Sequence, residues 1–153
     1  MRSIYDNTKV GGVIAVYGSL TGVVATGDGV DTKGYNSAAL RVQTSAVGAG
    51  IPVNTGASLV AVLEESADNV TFSAANDNTG TQIGVTITAT TTAVVASARI
   101  EGLNQNRLRY LRAKITTKMQ VAPLTPAKIF TGVAVIVMGR AYALPTDTTT
   151  SNT

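Results

Sequence analysis

The carboxylates best placed for acid–base chemistry are Glu64, Glu65 and Asp68, in the segment Leu63–Phe72, which we predict to be a strand, a tight polar turn and a short returning strand. Two carboxylates can serve as general acid and general base when both face the same substrate. Glu64 and Glu65 are adjacent in a segment with the character of a strand, so their side chains point to opposite faces. Either one could approach Asp68 across the turn, but carboxylates at a strand end are more typical of solvated charge. The pattern therefore predicts no acid–base pair.

Other reaction chemistries lack the residues they need. The chain contains no Cys and no His, which excludes thiol nucleophiles, thiolate metal sites and a Ser-His-Asp triad. Asp28 and Asp31 flank Gly29, but calcium needs roughly six to eight oxygen ligands, so a turn is the better interpretation. We therefore expect the protein not to be an enzyme and to hold no cofactor and no metal.

The composition favours a protein that works through its surface. Charged residues make up 14% of the 153 residues, against about 25% in a typical soluble domain. So little charge indicates that other subunits or a partner cover part of the surface; a threonine-coated secreted β-domain is the alternative. The net charge of +3 is too small to argue for nucleic acid.

Neither a membrane nor export is expected. No apolar stretch reaches the roughly 20 residues that a membrane-spanning helix needs. The first residues lack the basic region, apolar run and cleavage site of a signal peptide. We therefore expect synthesis in a cytoplasm.

Alternation of apolar and polar residues predicts about eight strands and no helix. The predicted strands are 13–17, short strands within 22–34, 37–45, 59–63, 83–87, 94–100, 107–117 and 129–138. Their spacing predicts an all-β fold, a single β-sandwich or jelly roll. We expect residues 1–12 to form an extended arm, 13–144 the sandwich, and 145–153 a flexible Thr-rich tail.

One predicted strand, 107–117, contains a change of phase. Leu108 and Tyr110 share one phase, whereas Leu111 begins the other. This predicts either a β-bulge near Tyr110-Leu111 or a Tyr110 that faces outward.

The last predicted strand, Ile129–Met138, is apolar in both phases. It could pack against another subunit, using Phe130, Ile136 and Met138. Alternatively, it is a central core strand covered on both sides.

Cations concentrate between Arg99 and Lys118, where six basic residues accompany the single Glu101. Arg112 and Lys114 share one strand face and form a basic stripe. The stripe could be a solvated face that protects a sheet edge, or an interface in which arginines anchor an acidic protein. Binding of nucleic acid is the least favoured alternative, because it normally requires several stacking aromatics and Tyr110 is the only aromatic residue between Arg99 and Lys118.

Short motifs are spread from Met1 to Arg140: Met1–Asn7, Gly34–Ala39, Leu63–Phe72, Arg109–Arg112 and the strand ending in Met138–Arg140. Together they resemble small virion proteins of tailed bacteriophages, of the capsid decoration, cement or minor head type. The resemblance implies a structural protein that binds the major capsid protein on the virion surface and assembles in the bacterial host cytoplasm. Symmetric shells favour a dimer or trimer. The expected interface residues are Arg2, Ile4, Tyr5, Arg109, Arg112, Lys114, Phe130, Ile136 and Met138.

The turn Ser66–Phe72 and the later Arg109–Arg112 are also similar to discoidin-type, galactose-binding-like jelly rolls. That similarity implies a carbohydrate-binding domain on a fibre, spike or head, with loops 48–56 and 76–80 as candidate glycan sites. The absence of Trp argues against it. A third alternative is a head–tail connector or tail subunit, which would require a ring.

Overall fold

The computed structural model describes residues 8–19, 24–45, 58–88, 92–103, 107–118 and 129–139. Within these ranges the chain forms strands and no helix, which confirms the all-β prediction. The strands are β1 (Thr8–Ser19), β2 (Val24–Thr26), β3 (Val30–Asp31), β4 (Ser37–Thr44), β5 (Ser58–Ser66), β6 (Ser73–Ala74), β7 (Gly84–Thr88), β8 (Val94–Glu101), β9 (Tyr110–Lys118) and β10 (Ile129–Gly139).

Strands from the two ends of the chain pair with each other. β1 pairs with β10, β2 and β3 with β9, β4 with β8, and β5 with β7, all antiparallel. The nested pairs form two sheets: a front sheet in the order β1-β10-β4-β8, and a back sheet built from β2, β9, β5 and β6, with β3 on β9 and β7 on β5. Two sheets made this way are a jelly roll, so the predicted fold is confirmed.

The core lies between the two sheets and follows the predicted alternation. In β4, Ala38, Leu40 and Val42 are buried, whereas Arg41 and Gln43 are exposed. In the back sheet, alternate residues of β5 and β9 are buried in the same way. Because successive side chains of a strand point to opposite faces, each sheet also has an outer face.

Two strand boundaries differ from the prediction. β1 begins at Thr8 rather than residue 13, so residues 8–12 of the predicted arm pair with β10, through a bulge between Gly11 and Val13. After β5, the returning strand is Ser73–Ala74 rather than a strand ending at Phe72. The intervening residues form a turn because hydrogen bonds to Asp68 hold their backbone.

The predicted change of phase near Tyr110 does not produce a β-bulge at the start of β9. Pairing between β9 and β5 continues without interruption to Ser66 opposite Tyr110, so this segment has no bulge. Tyr110 is half-buried, and the guanidinium of Arg109 lies 5.3 Å from its ring centroid. Leu108 precedes the strand, which explains why its phase differed.

Candidate interaction surface

Glu64 forms the centre of an ion-pair cluster on the outer face of the back sheet. Its carboxylate lies 2.7 Å from Nη2 of Arg112 and 3.2 Å from Nζ of Lys114. Only 8% of Glu64 is exposed. The expectation of a solvated strand-end carboxylate is therefore wrong for Glu64. Because both cations pair with the Glu64 carboxylate, this carboxylate has a structural role.

Glu65 is held by different groups. Its carboxylate accepts the backbone N–H of Leu108 at 3.4 Å and lies 3.7 Å from Nη1 of Arg107. Glu64 and Glu65 thus bind separate cations, and neither contacts Asp68 through any interaction found in the described residues. This arrangement agrees with the prediction that they form no acid–base pair.

Five of the six cations between Arg99 and Lys118 pair with carboxylates of the same chain. Besides the cluster at Glu64, Arg109 pairs with Asp31 at 2.8 Å and Arg99 with Glu101 at 2.9 Å. The sequence suggested a stripe with a single nearby acid, but most of its acidic partners lie on strands far earlier in the chain. Arg109, Arg112 and Lys114 therefore already have carboxylate partners within the chain and do not need an acidic protein to neutralise them.

The turn after β5 covers part of this cluster. The ring of Phe72 stacks on Arg112, with the guanidinium carbon 4.0 Å from the ring centroid. Asn69 adopts a left-handed backbone with φ of 61°, which Asn tolerates better than most residues. The turn thereby places Phe72 over the Arg112–Glu64 pair and shields it from solvent.

Asp68 organises this turn. Its carboxylate accepts the N–H groups of Thr71 and Val70 and the hydroxyl of Ser66 at 2.8–2.9 Å. These hydrogen bonds, that of Thr71 foremost, lower the pKa of Asp68 to about 2. The carboxylate is used to hold the backbone.

Gly29, between β2 and β3, makes room for the turn. A Cβ at this position would overlap Oδ1 of Asn69 and lie 2.9 Å from Cζ of Phe72. We expect Gly29→Ala to lower the free energy of unfolding by about 1 kcal/mol, because the turn can shift to relieve part of the overpacking. Urea denaturation measures the loss.

The double variant Gly29→Ala/Asn69→Gly provides the control. Glycine tolerates the left-handed backbone and removes the overlapping amide, so this variant should recover part of the loss. A simple sum of two independent losses would show that the side chain of Asn69 does not limit this position.

The loop 76–80, a predicted glycan site, uses its carboxylate internally. Asp77 accepts the N–H groups of Thr79 and Thr81 at 2.8 and 2.9 Å, and the Thr79 hydroxyl at 2.6 Å. These bonds, with the Thr79 hydroxyl first, lower the pKa of Asp77. The other predicted glycan loop, 48–56, lies outside the described residues.

Acid should destabilise the fold through Asp31, Asp68 and Asp77. Arg109 and the N–H of Lys33 lower the pKa of Asp31 to about 2, as the turn does for Asp68. Their folded pKa values lie below the unfolded value of about 3.9, so the unfolded chain binds more protons in between. Their contribution is complete above about pH 5 and is lost as the pH falls towards 2.

The urea concentration at the unfolding midpoint should accordingly decrease as the pH is lowered from 5 to 2. In Asp68→Asn this decrease should be smaller. Asn retains an acceptor oxygen but does not titrate, so it isolates the contribution of this carboxylate. A midpoint that stays constant over this pH range would contradict the prediction.

The interface residues predicted on β10 and in the arm have different outcomes. Ile136 and Met138 are 0% exposed in the chain's own core, and β10 lies between β1 and β4. The structure thus supports the central-strand alternative for these two residues, which are unavailable to another subunit. Phe130 lies in β10, but its side chain, like Arg2, Ile4 and Tyr5, is outside the described part.

The outer face of the front sheet carries a cluster of valines, a feature that the sequence alone did not locate. Val95 is 65% exposed and Val133 38%, and Val135 and Val137 are half-buried beside them. Together with Arg41, Val42 and Gln43 they line a groove of about 270 Å³. The signal in the sequence was the apolar character of β10 in both phases, since one phase fills the core and the other faces outward.

The described ranges contain no helix long and apolar enough to cross a membrane. They also contain no group of three or more acidic side chains arranged to hold a metal ion.

No protein-family model matches the chain, and no curated protein matches it. Among solved structures, a chain of the cowpea mosaic virus top component, described as naturally occurring empty particles, aligns with TM-score 0.41 and 8% identity, over 84% of this chain and 81% of that chain. Tobacco necrosis virus gives 0.37 and 13%, over 88% and 96%. Desmodium yellow mottle tymovirus gives 0.32 and 14%, over 87% and 88%. Every TM-score is below 0.5, so the jelly-roll assignment rests on this chain's own strand pairing.

Proposed function

We propose that this protein is a non-enzymatic structural component of a virion, which decorates and cements a bacteriophage capsid by binding the major capsid protein. The observation that carries the proposal is the exposed valine face of the front sheet, formed by Val95, Val133, Val135 and Val137. Clusters of exposed apolar side chains are often sites of protein–protein contact.

The distribution of charge supports a binding role. The outer face of the back sheet pairs its cations with carboxylates of the same chain, as Arg112 and Lys114 do with Glu64. The cations of that face therefore need no partner, whereas the valine face leaves apolar side chains exposed to water. A rigid sandwich with one unsatisfied face suits a protein that clamps a larger assembly.

The jelly roll is compatible with the proposal but does not select it. This architecture occurs in viral capsid proteins, lectins and cupins, so the fold alone gives only an analogy. The short motifs that resemble phage decoration proteins favour the virion among these classes. The proposal includes a dimer or trimer as the building block, since closed symmetry is the rule for such assemblies.

Particles assembled with and without this protein provide the test. We expect particles that lack it to release their contents at a lower temperature, and purified protein added back to restore the original temperature. Sedimentation of the protein with empty heads measures binding directly. Unchanged thermal stability together with no cosedimentation would reject the proposed function.

Mass measurement of the purified protein tests the connector alternative. A dimer or trimer agrees with decoration, whereas a ring of many subunits agrees with a connector or tail subunit. The experiment is independent of particle binding.

A further inference from the structure

Arg41 occupies the middle of the valine face. It is exposed on β4, directly opposite Val135 of β10 and Ser97 of β8. Directly opposed residues of antiparallel strands have Cβ atoms about 4.5–5.5 Å apart. The next row along the sheet places Val133, Gln43 and Val95 side by side. The guanidinium of Arg41 thus lies beside the valines of β10, on a face that also carries Gln43, Ser97 and the Arg99–Glu101 pair.

Arg41 also differs from the other arginines of the described ranges. Arg99, Arg107, Arg109 and Arg112 each lie within 4.0 Å of a carboxylate of this chain. Of the two described arginines on the valine face, Arg99 pairs with Glu101 and Arg41 has no carboxylate partner among the described residues.

Covering this face would remove Arg41 from water. A charged group that loses its hydration without gaining an opposite charge strongly opposes binding. A partner that packs on the valines must therefore provide a negative group at the position of Arg41. Guanidinium and carboxylate form paired hydrogen bonds of well-defined geometry, so such a contact would also fix the orientation of the partner.

We propose that the outer face of the front sheet docks an apolar protein surface that places a carboxylate against Arg41. The inference rests on the proposed function, because it names the face that binds the capsid and the chemistry of the capsid surface it binds. The acidic partner is thus expected at the outer face of the front sheet. The basic stripe lies on the outer face of the back sheet, where carboxylates of the same chain already pair with its cations.

The dimensions of the face agree with the centre of an interface. Strands lie about 4.8 Å apart and alternate residues about 6.7 Å, so three rows on three strands cover about 300 Å². One partner contributes about 800 Å² to a standard interface. The valines and Arg41 would form its buried centre, and the surrounding sheet its rim.

A second copy of this chain fits the face less well. Two identical faces packed together would bring two Arg41 guanidinium groups into one interface. The carboxylate that the described residues offer at the edge of this face is Glu101, and it already pairs with Arg99 at 2.9 Å. The charge pattern therefore favours a different protein.

The test measures binding of purified variants to empty heads that lack this protein. Arg41→Met keeps the length and apolar stem of the side chain but removes the charge, and Arg41→Glu reverses it. Lys33→Met is the matched control, because it removes one exposed positive charge from the turn after β3, away from the face. Thermal unfolding checks that each variant is folded.

We expect Arg41→Met to weaken binding at least about 30-fold, since a buried carboxylate on the partner would lose its counter-charge. Arg41→Glu should weaken it further, and Lys33→Met should leave it within about twofold of the wild type. The expected losses for Arg41 are in dissociation rate more than in association rate.

The outcomes separate the two proposals. If the wild-type protein does not bind heads, the proposed function fails and this inference fails with it. If the wild type binds and Arg41→Met binds equally well or more tightly, the proposed function stands and the inference is overturned. A dimer in sedimentation that Arg41→Met dissociates would also overturn it, because a second copy would then occupy the face.

Discussion

Replacing Ile136 by alanine is expected to lower the free energy of unfolding by about 2–5 kcal/mol, the range for removing a large aliphatic side chain from a packed core. Ile136 is 0% exposed and lies in β10, which has a strand on each side in the front sheet. The neighbouring strands restrict its collapse around the cavity, so the loss should be substantial. Urea denaturation at neutral pH measures it.

Val135→Ala is the matched control, one residue earlier on the same strand. Val135 faces outward and is half-buried, so its truncation should cost less than about 1 kcal/mol. The two variants separate the core from the surface of a strand that is apolar in both phases. Equal losses at the two positions would show that the structure assigns the wrong face to the core.

Binding to empty heads provides a second comparison between these variants. Under the proposed function, Val135→Ala weakens binding while leaving the fold intact, because this valine lies beside Arg41. Ile136→Ala destabilises the protein but should bind normally under conditions where it stays folded. If both results are obtained, interface residues and core residues alternate along β10.

The sequence contained enough information for the strands and the direction of their faces. In β4, the alternation of Ala38, Leu40 and Val42 with Arg41 predicted the buried and exposed faces, because burial imposes a period of two on a strand. The fold class followed from the number and spacing of such segments. These are local properties, and each can be deduced from fewer than about ten residues.

The pairing of charges could not be deduced in the same way. Glu64 and Arg112 are 48 residues apart, and Asp31 and Arg109 are 78 apart. They meet only because β9 lies between β5 and the strands β2 and β3, and strand order is not a local property. For this reason the stripe appeared unpaired in the sequence, and the valine face could not be assigned to either sheet.

The turn after β5 shows a third limit. A returning strand was expected to end at Phe72, but Asp68 binds the backbone N–H groups of Val70 and Thr71. A side chain that accepts such bonds competes with strand pairing. Composition identified a turn, but its length depended on which N–H groups the carboxylate would take.

The ion-pair cluster at Glu64 leads to the second large effect. We expect Glu64→Gln to lower the free energy of unfolding by about 2–3 kcal/mol. Removing one member of a buried pair costs about 3–5 kcal/mol because the remaining charge is left uncompensated. Here the side chains of Arg112 and Lys114 are 25% and 37% exposed, so solvent reduces that cost.

The exposed pair Arg109–Asp31 is the matched comparison. Its side chains are 51% and 37% exposed, and pairs this open to solvent contribute little to stability. Asp31→Asn at neutral pH should therefore cost clearly less than Glu64→Gln. Similar losses for both would mean that burial does not set the strength of these pairs.

A double-mutant cycle locates the source of the effect. Once Glu64 is glutamine, Arg112→Met should cost less than it does in the wild type, because the attraction between the two groups is already lost. Phe72→Leu should weaken the coupling, since the ring stacked 4.0 Å from the Arg112 guanidinium carbon shields the pair from solvent. Additive losses would show that Glu64 and Arg112 do not interact, and that Glu64 contributes to stability by another route. Coupled losses would show that Arg112 serves the fold through Glu64, in contrast to Arg41, which has no carboxylate partner among the described residues.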